Sequence, residues 1–341
     1  MSDPSHVLTP HVRRGDRSER AHDPLDALVN ALCTLGPRPH GSAAHARSRS
    51  LLAAALLDAG AVPYVGDDLA VDHPSDRVNL LAVVPGRQRH CRPLLLATHY
   101  DGPAESPGAG DNAAAVAALV TLVTPLAARA LERDVIVALI DGGDPSARPR
   151  SAPGRRRTNV DDDVHGLALF LREQRRHDLK AAVLIDRLGH RMDAEGPPHL
   201  LVVGAESEAR LPGVLTSLHG SLHGSMPTYA ALTRSEVSDA HAADVLRAYG
   251  VPYLWLSGGR LPWHRGPGDT PDRLHRPSLD ATTALLVALT ERLSQTRLPG
   301  PMGEHDLSDL RRDGWGGWSS RPDGHPSPAD LRAASRRMGW A

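Results

Sequence analysis

The sequence predicts an α/β fold: a single domain with a mixed, mostly parallel central β-sheet sandwiched by helices. Three observations lead there. Short, almost wholly apolar runs at 78–84, 93–98, 134–140, 181–185 and 252–256 read as strands buried on both faces. Segments with helical periodicity alternate with them, as in βαβ units. At 341 residues the chain is long enough to bury one large core.

Taken in order, residues 1–22 are polar and charged and are expected to form a flexible arm. Asp23-Pro24 supplies an N-cap and a first-turn proline, and Leu25, Leu28, Val29 and Leu32 then share one helical face. After Gly36-Pro37-Arg38-Pro39, a second helix spans 43–59 and is closed by Gly60. Strands at 78–84 and 93–98 precede an Ala/Val/Leu helix at 113–130 and a β-branched strand at 134–140. The Pro/Arg/Ser-rich loop 145–159 and the acidic run 161–163 read as a solvated insertion. A helix at 165–175, strands at 181–185 and 200–203, a helix at 240–249, a strand at 252–256 and a closing helix at 277–293 complete the domain, 23–297. Residues 298–341 turn to Gly, Pro, Arg, Asp and Trp and are expected to form a flexible tail, whose tryptophans could dock on the domain or on a protein partner.

Composition narrows the function classes. A net charge of −1 gives no bias toward nucleic acid or a membrane surface. Cys33 and Cys91 are too few for a disulfide framework or a cysteine metal cluster. The first residues lack the apolar core of a secretory signal, and no run approaches the ~20 apolar residues of a membrane span. A cytoplasmic protein is the expectation.

Five residues suited to hold zinc fall at or after strand ends: His99, Asp111, Asp144, Asp186 and His264. Imidazoles and carboxylates are ordinary Zn²⁺ ligands. The carboxyl ends of parallel strands are where open α/β sheets gather ligands. Each residue alone is weak, since a lone histidine is usually a surface or core residue and a strand-terminal Asp is often a helix N-cap. Five in order shift the balance. Two imidazoles and three carboxylates suit a two-metal site with one bridging carboxylate.

These motifs resemble the zinc-exopeptidase superfamily, in the branch of the co-catalytic zinc aminopeptidases and glutaminyl cyclases. The likeness runs from about Leu32 to Leu293 through Leu35-Gly36-Pro37-Arg38-Pro39-His40-Gly41-Ser42, His99-Tyr100-Asp101, Gly108-Ala109-Gly110-Asp111-Asn112, Asp186-Arg187-Leu188-Gly189, Gly250-Val251-Pro252, Trp263-His264 and Asp269-Thr270. It implies one or two Zn²⁺ ions on His99, Asp111, Asp144, Asp186 and His264, or a single ion on Asp111, Asp144 and His264 as in the cyclases. It implies that Asp101 orients His99, that Asp186 or Asp239 holds a substrate amine, and that Trp263 lies against the substrate. The implied substrate is a small peptide or an amino-bearing small molecule.

One departure stands out. The family shows two consecutive glutamates after this strand, the first for proton transfer and the second for metal, whereas this chain reads Asp141-Gly142-Gly143-Asp144. General acid/base catalysis supplies ~10²–10⁴-fold, so glycine at 143 leaves a poor peptidase. Three outcomes are open: Asp141, Asp239 or the substrate takes over proton transfer; the site runs another reaction, such as cyclisation; or the pocket only recognises a partner. A glutamate restored at 143 is expected to recover hydrolysis if the site is a repurposed one.

Overall fold

A computed structural model describes residues 23–144, 165–173, 179–189, 199–219, 228–232, 237, 241–259 and 262–298. The N-terminal arm, the loop 145–159, the acidic run 161–163, Asp239 and the tail beyond Leu298 lie outside them.

Two helices lead in: α1 (Pro24–Thr34), whose Asp23 side chain accepts the Leu25 N–H, and α2 (Ala43–Asp58), capped by Ser42. The sheet has nine strands: β1 (Val62–Pro63), β2 (Ala70–His73), β3 (Arg77–Val84), β4 (Leu94–His99), β5 (Val135–Ile140), β6 (Ala181–Asp186), β7 (His199–Val203), β8 (Thr228–Leu232) and β9 (Tyr253–Ser257). Their order is β1-β3-β5-β4-β6-β9-β7-β8, with β2 on β3. The centre, β5-β4-β6-β9, is parallel, and antiparallel pairings flank it at β3–β5 and β9–β7. Helices α3 (Ala114–Thr121), α4 (Val123–Ala127), α5 (Gly166–Glu173), α6 (Leu211–His219) and α7 (His241–Ala248) lie between strands, and α8 (Arg276–Gln295) follows β9.

Strand periodicity explains why both faces are covered. Leu94 and Leu96 join one core with Val135, Val137, Leu139, Val183 and Ile185, packed under α1, α2, α3 and α8. Their neighbours Leu95, Ala97, Ile136, Ala138 and Leu184 join the opposite core, under α5 and α7. Successive side chains point to opposite faces, so a strand buried on both sides is apolar along most of its length, as β3 is from Leu80 to Val84.

The structure departs from the sequence reading in several places. The helix expected at 113–130 is preceded by an irregular turn, and then divides into α3 and α4. Residues 109–127 reach the length and hydropathy of a membrane span, contrary to the expectation above, but 83% of the most apolar stretch is buried within this fold. The short edge strands β1 and β2 and helix α6, which carries Pro212 and Gly213, escaped the reading because brief or proline-bearing segments show too little periodicity.

Register sets up the site. His99 pairs with Ile140, Ala97 with Leu184, and Asp186 with Ser257, so the carboxyl ends of four central strands finish together. The sheet centre should tolerate little change: Leu96→Ala, at a fully buried position, is expected to cost about 2–5 kcal/mol of unfolding free energy. Leu57→Ala, 52% exposed on α2, should stay within roughly 0.5 kcal/mol. Urea titration of both variants checks the contrast.

Candidate metal centre

Three donors meet above the sheet centre. His99 ends β4, Asp186 ends β6, and Asp111 hangs from the turn between β4 and α3. His99 Nε2 lies 3.6 Å from Asp111 Oδ1 and 3.6 Å from Asp186 Oδ1. The other oxygen of Asp111 faces His264 Nε2 at 3.4 Å. One carboxylate thus presents an oxygen to each imidazole, the arrangement of a bridging ligand.

The surrounding chain holds these donors in place. Arg38 is buried and donates to the carbonyls of Leu32, Pro107 and Gly108, tying α1 to the turn that carries Asp111. Asp269 accepts the Gly110 N–H at 2.8 Å and the Asp111 N–H at 3.0 Å. Asn112 donates to Thr98 Oγ1 and accepts the Arg187 N–H, bridging the ends of β4 and β6. Behind His99, Nδ1 lies 2.9 Å from the Asp101 carbonyl, with Asp101 Oδ1 at 3.4 Å. A carbonyl only accepts, so Nδ1 carries the proton and Nε2 is left as the ligand atom, the usual support for a metal-binding histidine.

The donor set fits a divalent cation. Asp186 Oδ1 is buried and makes no hydrogen bond, although it faces His99 and Asp111. Burial opposes a charge on His99, but Asp101, Asp111 and Asp186 outweigh it and hold the imidazole pKa well above its usual value. Burial likewise disfavours ionised Asp111, yet His99, His264 and Arg187 keep its pKa below the ordinary carboxylate range. The carboxylates thus favour a positive charge at His99 Nε2, where a bound cation would replace the proton. His99, Asp111 and Asp186 place one ligand atom each within 4.8 Å of one another.

The remaining predicted residues are placed differently. Asp144, read as a metal ligand, is buried in a forked ion pair with Arg265, at 2.8 and 3.0 Å. Asp141 is turned away from the cleft. Its carboxylate takes the Val78 N–H and faces His40, His45 and Arg77, so its expected part in proton transfer is lost to a structural one. Burial raises the Asp141 pKa, but the imidazole of His45 and its neighbours bring it down to about 2. Asp186 Oδ2 pairs with Arg187, and its Oδ1 faces the donor cluster. Trp263 lies under the Arg273 guanidinium, which stands 4.7 Å from the centre of the indole ring. Asp239 falls outside the described residues.

The glycine at 143 has a steric cause. A Cβ there would lie 2.2 Å from His99 Cβ and 2.7 Å from its Cγ. The β4 ligand fills the space a side chain needs, so the sequence-based expectation for a restored glutamate does not hold: Gly143→Glu should displace His99 instead of returning a base. Sequence reasoning also missed Arg265 and His165, both of which line the cleft. His165 Nδ1 accepts the Leu167 N–H, which puts its proton on Nε2.

A mixed α/β sheet gathering imidazoles and carboxylates at its strand ends defines a metallopeptidase-like protein. The sequence profile of Peptidase family M28 matches residues 79–290, more than half of the chain, and the chain belongs to that family. Among solved structures it is similar to a Zn-dependent exopeptidase from Parabacteroides distasonis, at 16% identity and a TM-score of 0.62, over 79% of this chain and 97% of that one. A glutaminyl cyclase from Fimbriiglobus ruber aligns at 19% identity and a TM-score of 0.61, over 79% and 94%. A leucine aminopeptidase precursor from Bacteroides thetaiotaomicron aligns at 15% and 0.58, over 81% and 97%. Identities this low establish the shared fold. No curated protein sequence matches the chain.

If His99 is packed against Gly143 as described, Gly143→Ala should weaken zinc binding by roughly 10–100-fold, the range for disturbing a ligand's support. Gly102→Ala, whose nearest new contact is 3.7 Å away, should leave it unchanged. Competition with a zinc-chelating dye measures both affinities, and equal binding by wild type and Gly143→Ala would remove the steric account.

Proposed function

We propose that this protein is a zinc-dependent enzyme of the aminopeptidase or glutaminyl cyclase type, acting on a peptide N-terminus or an aminoacyl-like small molecule, and that its reaction is cyclisation rather than hydrolysis. The observation that carries the reading is the meeting of His99, Asp111 and Asp186 beside a cleft, with His264 on the far oxygen of Asp111. His99, Asp111 and Asp186 would hold a divalent cation, which would supply Lewis-acid polarisation of a substrate carbonyl.

The chain's own residues favour an intramolecular nucleophile. Hydrolysis needs a base to activate water, and position 143 has no room for one. The carboxylates lining the cleft, Asp111 and Asp186, are both engaged with the donor cluster. Cyclisation of a glutaminyl substrate asks for less. The neutral α-amine attacks the side-chain amide, a C–N bond forms as another breaks, and ammonia leaves with the proton the amine gives up. Holding both groups in one molecule supplies an effective molarity of about 10⁵–10⁸ M. His165 also lines the cleft, and we assign its imidazole to pass that proton. The cleft offers about 80 Å³, roughly half the ~150 Å³ that takes a benzene ring, which suits a short side chain. Ile140, Leu167, Leu184 and Trp255 make its wall apolar.

The filled space at 143 also favours a second reading, a metal-binding homologue that recognises an amine-bearing partner without turning it over. Zinc-loaded protein should release ammonia from N-terminal glutaminyl peptides, with the cyclised product identified by mass spectrometry, and should hydrolyse aminoacyl nitroanilides at least ~10²-fold more slowly. Chelation or His99→Ala should abolish both. Bound zinc without turnover of either substrate class would replace the enzyme reading with the binding one.

A further inference from the structure

We propose that Arg265 fills the place of a second metal ion: the centre loads one divalent cation, through His99, Asp111 and Asp186, and the guanidinium supplies the second positive charge from a side chain. This rests on the metal-centre reading above and fixes its stoichiometry.

Asp111 offers oxygens to two sides. One side has a complete trio, His99, Asp111 and Asp186. The other has His264, and the carboxylate that could complete it is Asp144. Both oxygens of Asp144 are taken by Arg265, Nη1 to Oδ2 and Nη2 to Oδ1, in a bidentate fork. Asp144 has little freedom to swing away, because its side chain is 1% exposed and its N–H is held by Asp101 Oδ2 at 3.1 Å. The backbone of Arg265 sits in the left-handed region, at a φ of 62°, which is uncommon for a residue other than glycine. That conformation lets adjacent residues serve one centre, His264 on Asp111 and Arg265 on Asp144.

Charge points the same way. The centre gathers Asp101, Asp111, Asp144 and Asp186 against Arg187 and Arg265, four carboxylates to two guanidiniums. Asp269 and Arg38, which interact with each other beside it, cancel. A cation on His99 Nε2 takes the place of a proton there, and with both imidazoles then neutral the deficit is two charges, which one dication balances. A second dication would have to displace a fixed guanidinium from a buried carboxylate and leave the centre in positive excess. Arg265 also lines the cleft, where it can meet a substrate oxygen that carries developing negative charge.

Equilibrium dialysis against buffered zinc, read by elemental analysis, tests this on the full chain. Wild type should hold one zinc per chain, Asp144→Asn should still hold one, and Arg265→Ala should hold two. Cobalt loading of wild type should saturate at one equivalent by its visible absorption. Two zinc ions in wild type, loss of the single ion in Asp144→Asn, or one ion in Arg265→Ala would each overturn the inference. No zinc in wild type would instead overturn the metal-centre reading on which it stands. Should Arg265→Ala fail to fold, Arg265→Gln carries the same test, with Asp144→Asn as an independent arm.

Discussion

The buried carboxylate of Asp101 is the node on which the arrangement of the centre depends. Its carbonyl and Oδ1 both face His99 Nδ1, and Oδ1 also accepts the Gly143 N–H at 3.1 Å. Oδ2 accepts the Asp144 N–H at the same distance. One side chain therefore fixes the ring plane of a donor, the path of the loop after β5, and the position of the carboxylate that Arg265 grips. An acceptor with four lone-pair sites can do this only where it is fully buried and paired, because partial satisfaction costs more than an apolar residue would. Asp101 is 0% exposed. The packing of His99 against Gly143 follows from the same node: with both the ring and the loop tied to one carboxylate, the Cβ of residue 143 has nowhere to go.

A second layer of long-range ties brings the other donors to that node. The turn bearing Asp111 is held from two distant parts of the chain, by Arg38 from the N-terminal side and by Asp269 from the region after β9. Burial raises the Asp269 pKa while the two backbone N–H groups lower it, and the net shift is upward. The carboxylate therefore serves as a positioning group for the turn, placed by the same loop that delivers His264 and Arg265. Sheet register does the rest, since it aligns the ends of β4 and β6 before any side chain is considered.

How much of this could be read from sequence depends on whether the signal was local. His99, Asp111, Asp186 and His264 were legible because each follows an apolar run or a glycine-rich turn, and parallel strands must end in register. The two faces of the sheet were legible because strands buried on both sides read as nearly continuous apolar runs. The Arg265–Asp144 fork joins residues 121 positions apart and has no periodic signature. Asp141 looked like a site residue because it shares a strand end with Asp144. The two intervening residues, Gly142 in a left-handed conformation at φ 71° and Gly143, send the two carboxylates to opposite sides. Glycine at 143 was visible as a missing base, but its cause, contact with a ring 44 positions earlier, is a fact of packing alone.

Charge explains why one of two similar donor groups among the described residues suits a metal and the other does not. His40, His45 and Asp141 also bring ligand atoms within 4.8 Å of one another, and His45 Nε2, 3.2 Å from Asp141, lacks a well-aligned hydrogen bond. Donor count does not separate the two groups; charge does. The single carboxylate of Asp141 already faces the buried Arg77 guanidinium at 3.5 Å and receives the Val78 N–H. A dication placed there would face a fixed positive charge, and at about 4 Å even unit charges repel by ~4 kcal/mol under partial screening. At the strand ends the carboxylates outnumber the guanidiniums, and Asp186 Oδ1 is left without a hydrogen bond. The same residue types thus tie α2 to the sheet on one side and offer a cation site on the other, according to the balance of carboxylates and guanidiniums that the fold delivers to each.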